Sequence, residues 1–238
     1  MFIYGKNPVI ESVRNNRIIK VYIYKNFKDK KILSLLKEKN IIYQFCDINK
    51  LFYLVKTQKH QGIVAEIKPY KYYNLNDLIN EGSKQKNPII IMIDKIEDPH
   101  NFGAIIRICD VFNVVGIIIR EKNQVQLNAT VAKVSCGAIN FVKVARVSNL
   151  NNTIIKLKKV GYFIVSADHR GNENYIKLKY NFPIVLVIGG ENSGVSELVK
   201  KNSDFLVKIP MFGHVNSLNA SNALSVVLSF IVVCNRTT

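Results

Sequence analysis

Apolar residues follow two rhythms along this chain. From residue 88 onward they form short continuous runs, at 89–94 (IIIMID), 114–119, 141–144, 163–167, 184–188 and 205–209. Runs of this length, rich in Ile and Val, predict strands buried on both faces. Between them, stretches 102–112 and 151–160 space their apolar residues for helices. Strands alternating with helices predict an α/β architecture, a parallel sheet flanked by helices. A last apolar stretch, 223–234, is too short to span a bilayer and reads as a core helix.

The first 70 residues are built on a smaller scale. Pro8 near a first turn predicts a helix over 8–15. Short strands are predicted at 21–24, 41–45 and 62–67, with an amphipathic helix over 30–39 whose inward side is Leu33, Leu35 and Leu36. Residues 71–87 (KYYNLNDLINEGSKQKN) are polar and read as a linker, with a helical turn possible at 75–79. The expected organisation is therefore a small α/β domain at 1–70, a linker at 71–87 and the larger α/β domain at 88–238.

Composition narrows the function classes. Apolar residues make up 48% of the 238 and charged residues 21%, a globular balance and not a disordered one. Lys and Arg number 34 against 17 Asp and Glu, a net charge of +17. That excess attracts polyanions, although the abundance of Asn, Ile and Lys together points to AT-rich codons as one source of it. The four cysteines, Cys46, Cys109, Cys136 and Cys234, form no close pair, so neither a zinc site nor a disulfide framework is expected. They read as small buried residues of a reducing compartment. The N-terminus shows no charged segment before an apolar core, so no signal peptide is predicted, and a cytoplasmic location without membrane insertion is expected.

Three strand ends carry unusual residues, and ligands in open α/β sheets sit beyond such ends. The first is DKIEDPHNFGAIIRICD, residues 94–110. Asn101 can cap the helix that follows, and Arg107 stands one to two turns into it. A helix start backed by an Arg suits an anion, though an ordinary capped helix with a surface Arg has the same pattern. The second is GGENSGVS, residues 189–196, which is neither a dinucleotide fingerprint nor a Walker loop. The third is IPMFGHVNSLNASNALSVV, residues 209–227, rich in Ser and Asn donors and acceptors ahead of an apolar helix.

Together these stretches resemble the motif set of the SpoU family of RNA ribose methyltransferases, within the SPOUT class, in the family's order and spacing. DPHNFGAIIR resembles its first motif, GGENSG its second and IPMFGHVNSLN its third. YGKNPVIESV near the start and KHQGIVA at 59–65 resemble the family's RNA substrate-binding domain, so the likeness covers nearly the whole chain. It is nearest to the bacterial members that methylate a guanosine ribose of 23S ribosomal RNA. The resemblance implies a C-terminal trefoil knot, S-adenosyl-L-methionine held by main chain around Gly189, Ile209 and Leu218, no metal, and a homodimer. It places Asn101, Arg107, Glu191, Ser217 and Asn219 at the family's catalytic or site-forming positions. Departures are small: Asn113 stands where Gly is usual, and Cys109, Cys136 and Ala220 replace other small residues.

The implied activity is methyl transfer to a ribose 2′-hydroxyl. A neutral hydroxyl is a poor nucleophile, so alignment and help in losing its proton are what a protein must supply. An Arg base is awkward because guanidinium stays protonated. Arg107 is better suited to grip a neighbouring phosphate and stabilise the developing alkoxide. Lys6, Arg14, Arg17 and Lys20 are phosphate candidates in the N-terminal domain, and Tyr4, Tyr22 and Tyr24 are stacking or packing residues. Two alternatives stay open: a transfer-RNA ribose methyltransferase of the same family, and a non-catalytic RNA-binding ribosome-assembly protein.

Overall fold

A computed structural model describes residues 1–190 and 193–236. The chain divides into two compact units. The first comprises residues 1–70 together with 127–141, and the second comprises 71–126 together with 142–238.

In the first unit, strands β1 (Phe2–Tyr4), β2 (Ile18–Tyr24), β3 (Tyr43–Cys46) and β4 (Ile63–Ile67) form one sheet in the order β1-β4-β2-β3. Helices α1 (Lys6–Arg14), α2 (Lys30–Glu38) and α3 (Ile48–Val55) alternate with them. Helix α2 buries Ile32 and Leu36, one turn apart; Leu33 and Leu35, expected to face inward, are only half-buried. The i,i+4 pair lies on one face of the helix, which the cluster of leucines does not. Strand β1 and helix α3 leave weak sequence signals because β1 is three residues long and α3 is apolar on most sides. Helix α6 (Ala129–Val134) packs on β1 and α1, so this unit is completed by a segment from far along the chain. Cys136, just past α6, adopts a left-handed φ of 51° and is exposed, whereas Cys46 and Cys109 are buried. The expectation of four buried thiols is corrected there, since the turn that ends α6 carries the side chain into solvent, and again at Cys234, which is half-buried.

The second unit is an all-parallel sheet with order β7-β6-β5-β10-β8-β11-β9 among the described residues. Its strands are β5 (Ile89–Asp94), β6 (Gly116–Arg120), β7 (Val144–Val147), β8 (Phe163–Ala167), β9 (Glu173–Asn174), β10 (Ile184–Gly189) and β11 (Phe205–Lys208). Every residue of β5 and β10 is buried, as continuous apolar runs require. Ile90, Met92, Val185 and Val187 pack on one side with Leu78 of α4 (Leu75–Gly82) and with Ile154 and Leu157 of α7 (Leu150–Lys159). Helices α5 (Pro99–Val111) and α9 (Ala220–Arg236) pack on each other, with α5 against β6 and α9 against β10. A short α8 (Glu197–Lys201) joins β10 to β11.

Several predicted bounds shift by a few residues, and two of the differences have a local reason. β7 begins at Val144, three residues after the predicted start, because 138–140 form a 3-10 turn assigned to the first unit. The predicted linker contains α4, started by a capping box in which Asn74 and Asp77 bond each other's backbone N–H. Among the described residues no helix is long and apolar enough to cross a membrane.

Candidate active site

All strands of the second unit end at one edge of its sheet. The loops after β8, β10 and β11, with the start of α9, enclose a cavity of about 350 Å³ there. Small-molecule pockets range over roughly 300–1,000 Å³. One wall is bare backbone: a Cβ on Gly189 would overlap the backbone of Gly194, and one on Gly190 would overlap the backbone of Lys95. Ile209, Met211 and Leu218 add apolar lining. Asn216 and Ser217 add donors and acceptors.

The sequence-predicted residues that the structure describes fall into three groups. Gly189, Ile209, Leu218 and Ser217 all line this cavity. Asn101 and Asn219 meet beside it, the Asn219 Nδ2 donating to Asn101 Oδ1 at 2.8 Å across 118 residues of chain. Asn219 also starts α9, since its Oδ1 accepts from the Ser221 N–H at 2.9 Å and the Ser221 hydroxyl at 2.7 Å. Asn101 does not cap α5. Asp98 does, accepting from the His100 N–H at 2.9 Å, which puts Asn101 inside the first turn, where its side chain is available to Asn219. Arg107 is exposed on α5 and is not a cavity-lining residue. It lies about 9 Å further along the helix axis than Asn101. Glu191 lies outside the described residues.

Asp168 and His169 also line the cavity, and sequence reasoning passed over them. Their signal was the same as for the other three loops: they follow an apolar strand, FIVSA, at its C-terminal end. The Asp168 side chain is fully buried. Burial pushes its carboxyl up. The Arg170 N–H and guanidinium, the Val195 N–H and the Lys200 ammonium outweigh this and hold it below the usual carboxylate range. His169 Nδ1 lies 3.4 Å from Asp168 Oδ1.

Among the described residues, no group of three or more His, Cys, Asp and Glu side chains is placed to hold a metal ion.

The first unit carries cations over aromatic rings. Lys20 and Lys50 lie 5.2 and 5.4 Å from the Tyr22 ring centre, and Lys133 lies 4.6 Å from that of Tyr4. Tyr4, Tyr22 and Tyr24 are half-buried against Cys46, Leu51 and Val64, so each ring packs on one side. Arg17 donates to the carbonyls of Lys68 and Pro69 and stacks on Tyr70, and Lys6 and Arg14 pair with Asp29 and Glu11. His60 is buried, its Nδ1 accepting from the Gly62 N–H at 3.1 Å, and burial lowers its pKa. That makes His60 a turn residue.

These features define a class: a basic α/β unit joined to a parallel-sheet unit that has a small-molecule cavity at its strand ends. The comparisons with known proteins give the family. Residues 88–229 match the SpoU rRNA methylase family, and residues 2–73 match the family described as RNA 2′-O ribose methyltransferase substrate binding. A Bacillus subtilis (strain 168) protein named as a TrmH family tRNA/rRNA methyltransferase, YacO, is 38% identical over 95% of this chain and 93% of its own. The AviRb SpoU methyltransferase of Streptomyces viridochromogenes, solved with AdoMet, shares the fold at a TM-score of 0.81 and 19% identity, over 100% of this chain and 91% of its own. An AdoMet-bound rRNA methyltransferase from Sinorhizobium meliloti has a TM-score of 0.79 at 20% identity, over 97% of this chain and 85% of its own. This chain belongs to the SpoU family of RNA methyltransferases.

Proposed function

We propose that the chain transfers a methyl group from S-adenosylmethionine to a ribose 2′-hydroxyl of a guanosine in 23S ribosomal RNA. The observation that carries this reading is the cavity itself. It draws Gly189, Ile209, Ser217 and Leu218 from separate stretches to one place, beside the Asn101–Asn219 bond. The residues present fit the cofactor. The apolar lining of Ile209, Met211 and Leu218 suits an adenine ring, and glycine backbone can approach a ligand where side chains cannot. When bound, S-adenosylmethionine supplies a sulfonium methyl already activated for attack.

The chain's own residues then have to deliver and orient the hydroxyl. Arg107 offers an exposed, permanently charged fork that can grip the phosphate next to the target ribose and stabilise developing alkoxide. Ser217 and Asn219 orient the ribose and the edge of the cavity, and Asn101 fixes Asn219. Glu191, on the glycine-rich loop, belongs to the same proposed constellation. The knot is part of the proposal too. It is supported by the segment after β11 returning Ile209, Ser217 and Leu218 to the cavity that Gly189 of β10 opens. A homodimer is supported by exposed apolar side chains on the same unit, Val111, Phe212, Val215 and Val233, with Phe212 97% exposed.

The test is transfer of labelled methyl from S-adenosylmethionine to unmodified ribosomal RNA and, separately, to transfer RNA. A single 2′-O-methylated guanosine in 23S RNA, with Arg107→Ala reducing the rate by about 10²–10³-fold, is expected for loss of a group that stabilises developing charge. Label on transfer RNA alone would replace the substrate and keep the site; the relatives named as tRNA/rRNA enzymes favour keeping that reading in view. Wild-type activity in Arg107→Lys would count against a planar two-pronged grip.

A further inference from the structure

We propose that Asp94 and Asp168 are positioning residues that clamp, from both sides, the returning end of the glycine-rich loop at residues 194–196, where Gly194 forms part of the cavity wall. The inference rests on the cavity being the cofactor site. It begins in the sheet. Strand β10 lies between β5 and β8, and the register places Gly189 beside Asp94 and Ile188 beside Ala167. The two acids therefore stand at the ends of the two strands that flank β10, one on each side of the point where the loop leaves the sheet. Both side chains are fully buried.

Their oxygens reach consecutive peptides where the loop returns. Asp168 Oδ2 accepts from the Val195 N–H at 3.2 Å, and Asp94 Oδ2 accepts from the Ser196 N–H at 2.8 Å. The opposite oxygens are anchored as well. Asp94 Oδ1 pairs with the Arg120 guanidinium, and Asp168 Oδ1 accepts from the Arg170 N–H at 2.9 Å and Nε at 3.3 Å. Each carboxylate thus joins a fixed cation or backbone donor on one side to the loop on the other. Steric fit tightens the arrangement. Gly194 has a φ of +60°, and a Cβ on it would lie 2.7 Å from Asp168 Oδ2. The Gly194 N–H closes the loop onto the Gly190 carbonyl at 2.9 Å.

Burying a carboxylate carries a desolvation cost that its partners must offset. Two buried carboxylates, each paired with a partly exposed arginine and aimed at successive N–H groups beside a ligand cavity, fix the geometry of the loop there. Gly189, Gly190, Gly194 and Asp168 all form cavity wall, so a loop displaced by an ångström would change the shape the ligand meets.

The experiment measures S-adenosylmethionine and S-adenosylhomocysteine binding to the full chain by calorimetry, well below the unfolding midpoint, in Asp168→Ala, Asp94→Ala and Asp168→Asn. RNA binding is measured in parallel. Each alanine variant is expected to weaken both nucleoside ligands about tenfold or more, the scale of one lost charge-assisted hydrogen bond, while RNA affinity stays within about twofold. Asp168→Asn keeps an acceptor for Val195 and is expected to recover part of the loss. Alanine variants that bind the ligands as wild type would overturn the clamp, as would equal loss of ligand and RNA binding. Amide exchange on the wild-type chain decides the matter if a variant fails to fold. The Val195 and Ser196 amides should be protected like those of β10, and exchange at open-loop rates sinks the idea. Wild-type protein that binds neither ligand would refute the reading of the cavity, and the amide result would still judge the clamp.

Discussion

Asp168 brings a charge into a place where charge is expensive. Its carboxyl is held below the ordinary value of 3.8, so its contribution to stability has a defined pH window. A depressed folded pKa means the unfolded chain takes up a proton first as pH falls. The stabilisation is therefore full above the unfolded value and disappears as pH drops from there through the folded one. Urea unfolding should show Asp168→Asn less stable than wild type at pH 7, with the gap narrowing steadily below about pH 4. A gap unchanged down to pH 2 would mean that folding does not depress the pKa of this acid. Thiols give a second check at this level. Burial pushes the Cys109 and Cys46 thiols up, whereas Cys136 is exposed. A thiol reagent at pH 8 should modify Cys136 rapidly in the native protein and reach Cys109 only on unfolding. None of this differential could be read from four isolated Cys letters, because exposure depends on which turn each one occupies.

At the level of helices and strands, apolar rhythm was informative where elements are long and buried. IIIMID and FIVSA appear as strands with the predicted bounds: every position of the first is buried, as a doubly covered strand requires, and the second buries its three central residues while Phe163 at its start is exposed. The helix of 151–160 is displaced by one residue, to Leu150–Lys159. Short or edge elements were less legible. The three-residue β1 depends on pairing with β4, a partner some 60 residues away that no local pattern announces. Helix α4 was only hinted at in a polar stretch, and its capping box explains how it starts. Asn74→Ala should lower the unfolding free energy by about 0.5–2 kcal/mol. Leu186, buried on the central strand β10, is a harsher test: Leu186→Ala should cost about 2–5 kcal/mol. Chemical denaturation measures both, and a loss at Leu186 no larger than at Asn74 would contradict the placement of β10 in the core.

For the molecule as a whole, the positive charge is unevenly shared. Residues 1–70 carry 14 Lys and Arg against five Asp and Glu. Binding to RNA should therefore be steeply salt-dependent. Replacing Lys20 and Lys50, the two cations over Tyr22, with Ala should reduce the slope of log affinity against log salt by about 1.5. An unchanged slope would assign those lysines to packing on the ring. The same charge that suggests a nucleic-acid partner does not say which RNA is bound; that rests on the motifs and on the methyl-transfer experiment.

Strand and helix alternation, the basic character of the first 70 residues, and the strand-end stretches at 94–110, 189–196 and 209–227 were present in the order of residues alone, because burial pattern and backbone-breaking residues are local properties. The motifs marked Gly189, Ile209, Ser217 and Leu218 for one site by resemblance, without any physical account of how residues so far apart in sequence could meet. Folding supplied that account. Parallel strands end at one edge, so loops distant in sequence enclose a single cavity. The pairing of Asn101 with Asn219, the recruitment of 127–141 into the first unit, and the two acids holding Val195 and Ser196 are all long-range contacts. Their partners are brought together by the packing of helices and by strand order, and both are properties of the folded chain.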